Sequence, residues 1–300
     1  MVAQEKGFSL LELLVSIGLF SIIMLASVSV FTRGSEAYYD ISIREGTNDT
    51  AKAVINIVGA DLRTIGNGIP FDQPNFRIDE TLFDGSVEID QDAAGGDDSK
   101  ITHPIDIAQS SDDEIYYKLN ETGIVHFLIS NFTPGSTTIS LDSTSGLVAN
   151  DKIYISDKLI SGENAMWATI SSVDSATQIT IGATYYTSPE ASTFGPGTTL
   201  EPVTTVRLYN NAGSIVRNGG FGDITLAKNA SFTLKYFAND GFTELTPPLT
   251  ITELSEELGS IELSVMVEST RKHKMFGTVN QTFSITKSQS YGLRSFNFAL

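Results

Sequence analysis

Along this sequence, the first feature in the pattern of hydrophobic and polar positions is an unbroken apolar run near the N-terminus. Residues 8–31 read FSLLELLVSIGLFSIIMLASVSVF, and Glu12 is their only formal charge. As a helix with a rise of about 1.5 Å per residue, the run would be about 36 Å long, enough to cross a bilayer core of about 30 Å. Buried helices of soluble proteins are seldom apolar on every face. The pattern therefore predicts a transmembrane helix over 8–31.

The helical pattern continues beyond the apolar run and becomes amphipathic. Apolar residues recur three and four positions apart on one stripe, which comprises Ala51, Val54, Ile55, Val58, Leu62 and Ile65. Such a stripe predicts that a single helix over 8–66 packs its second half on a sheet. Glycines and a proline within 66–70 predict the end of that helix. Gly46 and Thr47 both disfavour helix, so a kink or break of the helix within the segment 43–50 is an alternative.

Short alternating runs follow the helix and predict β-strands, separated by Gly, Pro, Asn, Asp and Ser. We divide this region into an acidic, loop-rich segment at 67–113, a β module at 114–190, and a C-terminal β-sheet region at 191–300. Ten alternating runs lie beyond residue 113. The predicted fold class is α+β, with a long N-terminal helix packed on an antiparallel β-sheet and an additional β-rich module.

Composition argues against several classes of function. The formal net charge is −17 and the isoelectric point is about 4.4. An acidic chain repels phosphate backbones, so nucleic acid is not an expected partner. The absence of cysteine excludes disulfides, thiol catalysis and thiolate metal sites. With no nucleophile-elbow motif either, we expect a protein that is not an enzyme and needs no cofactor.

Glu12 is the sharpest single feature of the apolar run. A carboxylate in a membrane helix costs about 2–3 kcal/mol unless it is paired. Glu12 therefore either lies shallow enough to reach the interface or needs a positive partner from another chain. An ordinary secretory signal has a shorter, uncharged apolar core. The small residues at 26–29 keep a signal-type cut site open as an alternative.

The segment 6–17, KGFSLLELLVSI, resembles the processing site of type IV prepilins and type II secretion pseudopilins. The resemblance implies that prepilin peptidase removes a leader, 1–7, by cutting between Gly7 and Phe8, and that Phe8 is N-methylated. It also implies that Glu12 pairs with the terminal amine of a neighbouring subunit. The chain would then cross the bacterial inner membrane once, with its head outside the cytoplasm. From there it would join other minor and major pilins in a pilus or pseudopilus.

Later motifs, in their order along the chain, resemble the PilW-type minor pilins. They are a helix end, Asp61-Leu62-Arg63-Thr64-Ile65-Gly66, a strand, Ser111-Asp112-Asp113-Glu114-Ile115-Tyr116-Tyr117, a strand from Val203 to Tyr209, and a tail, Leu293-Arg294-Ser295. Pseudopilin J of type II secretion has a similar layout and stays open as an alternative. Many major pilins of this family have a proline in the apolar helix and a C-terminal disulfide, whereas this chain has no proline before Pro70 and no cysteine. The resemblance therefore implies a minor pilin or pseudopilin, as a subunit of a priming or tip complex.

Two groups of residues are candidate metal ligands. An acidic, glycine-containing loop is a weak calcium candidate, since calcium takes six to eight oxygen ligands, and its carboxylates are Asp90, Asp92, Asp97 and Asp98. Its spacing differs from that of an EF-hand, which favours a solvated loop. The three histidines are far apart in sequence and favour surface or packing roles; they are His103, His126 and His273.

Two further groups of residues, one aromatic and one basic, are candidate binding surfaces. Trp167 and the pair Tyr185-Tyr186 would suit the sugar-binding face of a pilus-tip adhesin, although packing in the core or on an edge strand is favoured. The run Arg271-Lys272-His273-Lys274 is the one basic cluster of this acidic chain. It is either a turn between strands or a contact for an acidic neighbouring subunit.

Overall fold

The structure is a computed structural model that describes residues 9–66, 105, 111–157, 165–187, 193–219, 222–247, 249, 253, 257–273 and 281–293. The expected leader 1–7 and Phe8 lie outside the described residues. So do the four aspartates of the calcium candidate and most of the acidic segment 67–113.

One helix, α1, spans Leu10–Thr64 without interruption. The break left open at 43–50 does not occur. The hydroxyl of Thr47 is accommodated there, because it donates a 2.8 Å hydrogen bond to the helix carbonyl four residues earlier. Just past the helix, Gly66 adopts a φ of 74° and donates its N–H to the Lys118 carbonyl at 2.9 Å. A left-handed glycine of this kind is a common helix terminator.

The predicted amphipathic stripe is confirmed as the buried face of α1. All six of its members are buried, with Ile55 the most exposed at 6%. They share one hydrophobic core with apolar residues of the sheets, among them Tyr117, Leu208 and Leu263. The predicted α+β class is thereby confirmed: a long N-terminal helix packs on antiparallel β-sheets.

Fourteen strands occur in the described part of the chain, and each of the ten predicted runs overlaps one of them. In chain order they are β1 (Glu114–Leu119), β2 (His126–Phe127), β3 (Thr138–Ser140), β4 (Lys152–Ser156), β5 (Ala165–Ser175), β6 (Gln178–Thr187), β7 (Thr199–Pro202), β8 (Thr204–Asn211), β9 (Ser214–Asn218), β10 (Asp223–Lys228), β11 (Ala230–Ala238), β12 (Glu244–Leu245), β13 (Leu258–His273) and β14 (Gln281–Gly292).

The strands form three sheets, with orders β1-β8-β9-β10, β12-β11-β13-β14 and β2-β7-β4-β5-β6-β3. The first two sheets share their core with α1, whereas the six-stranded sheet has a core of its own around residues such as Ile155 and Phe194. Pairing places β1 beside β8, and β7 beside β2 and β4. The six-stranded sheet therefore draws its strands from 126–202, while the domain boundaries at 114 and 190 stay a prediction.

Contacts divide the chain into two units, one of Met1–Asp49 with Glu268–Ser284, the other of Thr50–Val267 with Ile285–Leu300. In the first unit the guanidinium carbon of Arg44 lies 5.4 Å from the centroid of the Phe283 ring, a cation–π distance. The Phe283 N–H donates to Ser269 Oγ at 2.8 Å, which ties β14 to β13 there. The second unit contains both hydrophobic cores.

Candidate functional site

A reciprocal pair of hydrogen bonds between Ser9 and Glu12 fixes the start of α1. The Ser9 N–H donates to Glu12 Oε2 at 3.0 Å, and the Glu12 N–H donates to Ser9 Oγ at 3.2 Å. This is a capping box, which satisfies amide donors that the first helical turn leaves without partners. Its sequence signal is the S-x-x-E spacing, which the prediction for Glu12 did not use.

The capping box changes what Glu12 requires from its surroundings. The carboxylate accepts a hydrogen bond within its own chain, but an amide N–H does not cancel its charge. A cut between Gly7 and Phe8 would keep Ser9 and Glu12 together on the product and create an ammonium on Phe8. Gly7 and Phe8 lie outside the described residues, so that cut and the role of Glu12 stay predictions.

Apolar side chains are exposed around the whole surface of α1 from Leu10 to Phe31. Phe20 is 62% exposed and Phe31 78%. Within the described part of the chain, α1 is the one helix long and apolar enough to cross a membrane. The hydroxyls of Ser21 and Thr32 donate to carbonyls four residues earlier at 2.8 Å, so they need no water. This surface is suited to lipid or to other apolar helices.

Comparison with protein families gives one finding for this segment. Residues 3–28 match the model of the prokaryotic N-terminal methylation motif. The match supports a type IV pilin-like family. It covers only the N-terminal segment of the chain and does not distinguish a PilW-type minor pilin from pseudopilin J. A search of curated proteins finds no match.

The C-terminal end of α1 is fastened by a cluster around Asp61. Arg217 Nε donates to Asp61 Oδ2 at 2.7 Å, and the Tyr117 hydroxyl donates to the same oxygen at 2.6 Å. Arg217 also donates from Nη2 to Glu121 Oε1 at 2.8 Å. Burial opposes the charged guanidinium, but the hydrogen bond and charge of Asp61 raise the pKa of Arg217 above its ordinary value. The cluster therefore holds α1 against β1 and β9.

This cluster gives a physical reason for the motif that resembles PilW-type helix ends. Asp61 accepts from Arg217 and Tyr117, while Leu62 is completely buried. The guanidinium of Arg63 lies 5.2 Å from the centroid of the Tyr291 ring. Asp61 and Arg63 thus each have a partner on a distant strand, and the sequence alone identified none of these partners.

A buried polar contact joins β1 to the six-stranded sheet. Lys118 is 2% exposed, and its Nζ lies 4.9 Å from the centroid of the Trp167 ring. Trp167 packs on Tyr154 with ring centroids 6.2 Å apart. Beside them, Asn120 donates to Glu201 Oε2 at 3.2 Å. No sequence signal marked Lys118, because a lysine in an alternating strand is normally solvated.

The structure places the remaining candidate residues as follows. Trp167 is 1% exposed, so core packing is confirmed and its ring has no free face for a sugar. Tyr185 and Tyr186 lie on β6, and their side chains are outside the described residues. His126 is buried on β2, and His273 is the last residue of β13. No group of metal-binding side chains occurs among the described residues, which do not include His103.

Two buried tyrosines predict a loss of stability in alkali. Burial, and next the charge of Asp61, raises the pKa of Tyr117; burial, and next the charge of Asp112, raises that of Tyr236. In the unfolded chain a tyrosine ionises near pH 10. Above that pH the unfolded state binds fewer protons than the folded state, so the free energy of unfolding falls as pH rises. The expected slope approaches about 1.4 kcal/mol per pH unit for each tyrosine.

Urea unfolding at a series of alkaline pH values, followed by the fluorescence of the single tryptophan, Trp167, measures this slope. Tyr236→Phe should make the slope shallower, because phenylalanine has no hydroxyl to ionise. The difference in bound protons between the folded and unfolded states is then smaller by one. Tyr38→Phe is the matched control, since Tyr38 is 77% exposed. An unchanged slope in Tyr236→Phe would contradict the prediction.

Proposed function

We propose that this pilin-like chain is a non-enzymatic structural subunit, a minor pilin of the PilW type that takes part in type IV pilus assembly in a priming or tip complex. The observation that carries the proposal is the methylation motif at 3–28 at the start of a helix whose apolar surface is uncovered. A pseudopilin of a type II secretion system shares that motif and is the second candidate.

The uncovered apolar surface explains why such a subunit would need two successive environments. Exposed side chains such as Phe20 (62% exposed) and Leu25 (71% exposed) cost free energy in water, at about 25 cal/mol for each Å² of apolar surface. In the precursor, the bilayer of the inner membrane covers them. In the filament, the helices of other minor and major pilins cover them. Only the sheets and the amphipathic second half of α1 then remain in water outside the cytoplasm.

Processing between Gly7 and Phe8 is the first step of the proposed route, with prepilin peptidase as the partner. The cut leaves an ammonium on Phe8, one helical turn from Glu12. N-methylation keeps that positive charge. Glu12 can then exchange the capping hydrogen bond from Ser9 for a charge-assisted contact with the amine of a neighbouring subunit, which is stronger than a neutral hydrogen bond.

Expression of the full chain with prepilin peptidase, followed by N-terminal sequencing and mass spectrometry, tests this route. The expected product begins at N-methylated Phe8. Gly7→Val should retain Met1, because a side chain there obstructs close approach of the backbone to a protease. Gly18→Ala is the matched control and should be cut normally, since nothing lies within 4 Å of a Cβ added at Gly18. A wild-type chain that keeps Met1, or is cut beyond residue 25, would refute the proposal.

Glu12→Gln separates processing from assembly in the same experiment. The variant keeps a side chain that can accept from the Ser9 N–H, but it loses the charge. We expect it to be cut like the wild type and to be lost from sheared filaments that contain the wild-type chain. Incorporation equal to that of the wild type would show that Glu12 has no charge-dependent role.

A further inference from the structure

Strand β10 forms one edge of the sheet β1-β8-β9-β10. Its one neighbour among the described strands is β9, whereas β1 at the opposite edge is also bridged by Ile105 through Tyr117. The first three residues of β10 are exposed: Asp223, Ile224 and Thr225. An edge strand presents backbone N–H and C=O groups with which a further antiparallel strand can pair. This edge is therefore a candidate interaction surface.

The edge carries an apolar side chain that the fold leaves in water. Ile224 is 56% exposed, the highest value among the large apolar side chains described on the strands. Natural edge strands are often protected by charged side chains or proline, because an exposed apolar edge promotes association. Covering Ile224 with a second strand would stabilise a complex through the hydrophobic effect.

The charges of β10 indicate which strand would pair there. The strand reads DITLAK, with Asp223 at its first position and Lys228 at its last. When two copies of this strand pair antiparallel end to end, each Asp223 stands opposite the Lys228 of the other copy. Opposite charges directly across an antiparallel pair are favourable, and like charges are unfavourable. A two-fold interface requires such self-complementarity, because the same surface meets itself.

A β-bulge places the two charges on the same face of the sheet. Residues five apart in a regular strand point to opposite faces. Here the register shifts in the middle of β10. Asp223 pairs with Asn218. Lys228 pairs with Ser214, which lies four residues from Asn218 on β9. Since paired residues share a face, Asp223 and Lys228 share one too. A bulge often blunts an edge, but this one aligns the charges that a second copy would meet.

The carboxylate of Asp223 is already oriented. Its Oδ2 accepts a hydrogen bond from the Tyr209 hydroxyl at 2.8 Å, and its Oδ1 accepts one from Asn218 Nδ2 at 2.9 Å. Both donors are neutral, so they fix the carboxylate without cancelling its charge. A side chain that is ordered before binding loses less entropy when the complex forms.

We propose that two copies of this chain associate through antiparallel pairing of their β10 strands, with Asp223 of each copy opposite Lys228 of the other. The sheet then continues across a two-fold axis that passes between Thr225 and Leu226. Ile224 of each copy is covered by the strand of the other. The contact does not involve the apolar run of α1, so it adds to the proposed function without depending on it.

A single cysteine beside the two-fold axis tests this geometry, since the chain has no cysteine of its own. The full chain with Thr225→Cys is oxidised mildly in a large excess of detergent micelles. The two Cα atoms at this position should lie within the approximately 4–7 Å that a disulfide spans, so a disulfide-linked dimer should form. Thr233→Cys, at an exposed position on β11, is the matched control and should form little or none.

Reversal of the two charges separates this contact from association through α1. Asp223→Lys and Lys228→Asp each place like charges opposite one another, so each variant alone should weaken the dimer at least about tenfold. An equimolar mixture of the two variants should restore it, because every charged pair across the two-fold axis is then of opposite sign. Sedimentation of the full chain in detergent measures the association, and Trp167 fluorescence verifies folding.

Lys235→Asp is the matched control for the change of charge. Lys235 is 48% exposed on β11, and its replacement should leave the association unchanged. A monomeric wild type overturns the proposal, as does a dimer that survives both reversals or a mixture that stays dissociated. A dimer that forms no disulfide with Thr225→Cys overturns it in favour of contact elsewhere. The cysteine variant keeps the test decisive even where a charge variant fails to fold.

Discussion

Replacement of Arg217 by leucine is expected to lower the free energy of unfolding by about 3 kcal/mol. The side chain of Arg217 is only 10% exposed and that of Asp61 16%, so the carboxylate would lose its cation in a largely dehydrated site. Tyr117, which donates to the same Asp61 oxygen, does not replace the lost charge. Urea unfolding followed by Trp167 fluorescence measures the change.

Arg207→Leu is the matched control for this prediction. Arg207 forms an ion pair with Glu114, but the two side chains are 32% and 27% exposed. Its loss should therefore cost only about 1 kcal/mol, as is typical of solvated pairs. The double variant Asp61→Asn with Arg217→Leu should lose less than the sum of the two single changes, because the variants share one interaction. Equal effects of Arg217→Leu and Arg207→Leu would show that burial of the cluster does not matter.

Gly59→Ala is expected to destabilise the wild type by about 2 kcal/mol and to stabilise a Tyr291→Leu background by about 0.5–1 kcal/mol. A Cβ at Gly59 would lie 2.6 Å from Cε1 of Tyr291, well inside van der Waals contact. The ring cannot retreat freely, because its hydroxyl donates to the Ile55 carbonyl at 3.0 Å. Leucine lacks the ring atoms that clash, and alanine is then simply the better helix former.

Gly34→Ala is the control for helix propensity alone. Gly34 also lies inside α1, but nothing is within 4 Å of a Cβ added there. Its replacement should stabilise the helix slightly in either background. Unfolding midpoints of the four combinations of Gly59→Ala and Tyr291→Leu give the sign of each step. A Gly59→Ala effect with the same sign in both backgrounds would contradict the close approach of β14 to α1.

Much of the helix and of the strand inventory could be predicted because both depend on neighbours in sequence. A repeat of three and four positions identified the buried face from Ala51 to Ile65, and alternation identified ten strands. The strands that were missed are β7, β9, β10 and β12. Three of them are no longer than five residues, too short for a period of two to be distinctive. The fourth, β10, opens with three exposed residues, Asp223, Ile224 and Thr225, and so lacks a clear inward face.

Some features of the candidate site could likewise be predicted from neighbours in sequence, and others could not. The processing motif is contiguous, so the sequence identified it directly, and the family match at 3–28 supports it. The capping box between Ser9 and Glu12 is also local and was present in the S-x-x-E spacing. The buried state of Lys118 against Trp167 was not predictable, because those residues belong to different sheets.

Local periodicity and contiguous motifs were therefore enough to predict the long N-terminal helix, its buried stripe and the methylation motif at 3–28. The partners of Asp61 and Gly59 emerged only from the folded arrangement. Arg217 is 156 residues from Asp61, and Tyr291 is 236 residues from Ile55. Such contacts depend on which strands become neighbours and on how side chains fit between them. That fit is a property of packed surfaces, which no periodic pattern along the chain encodes.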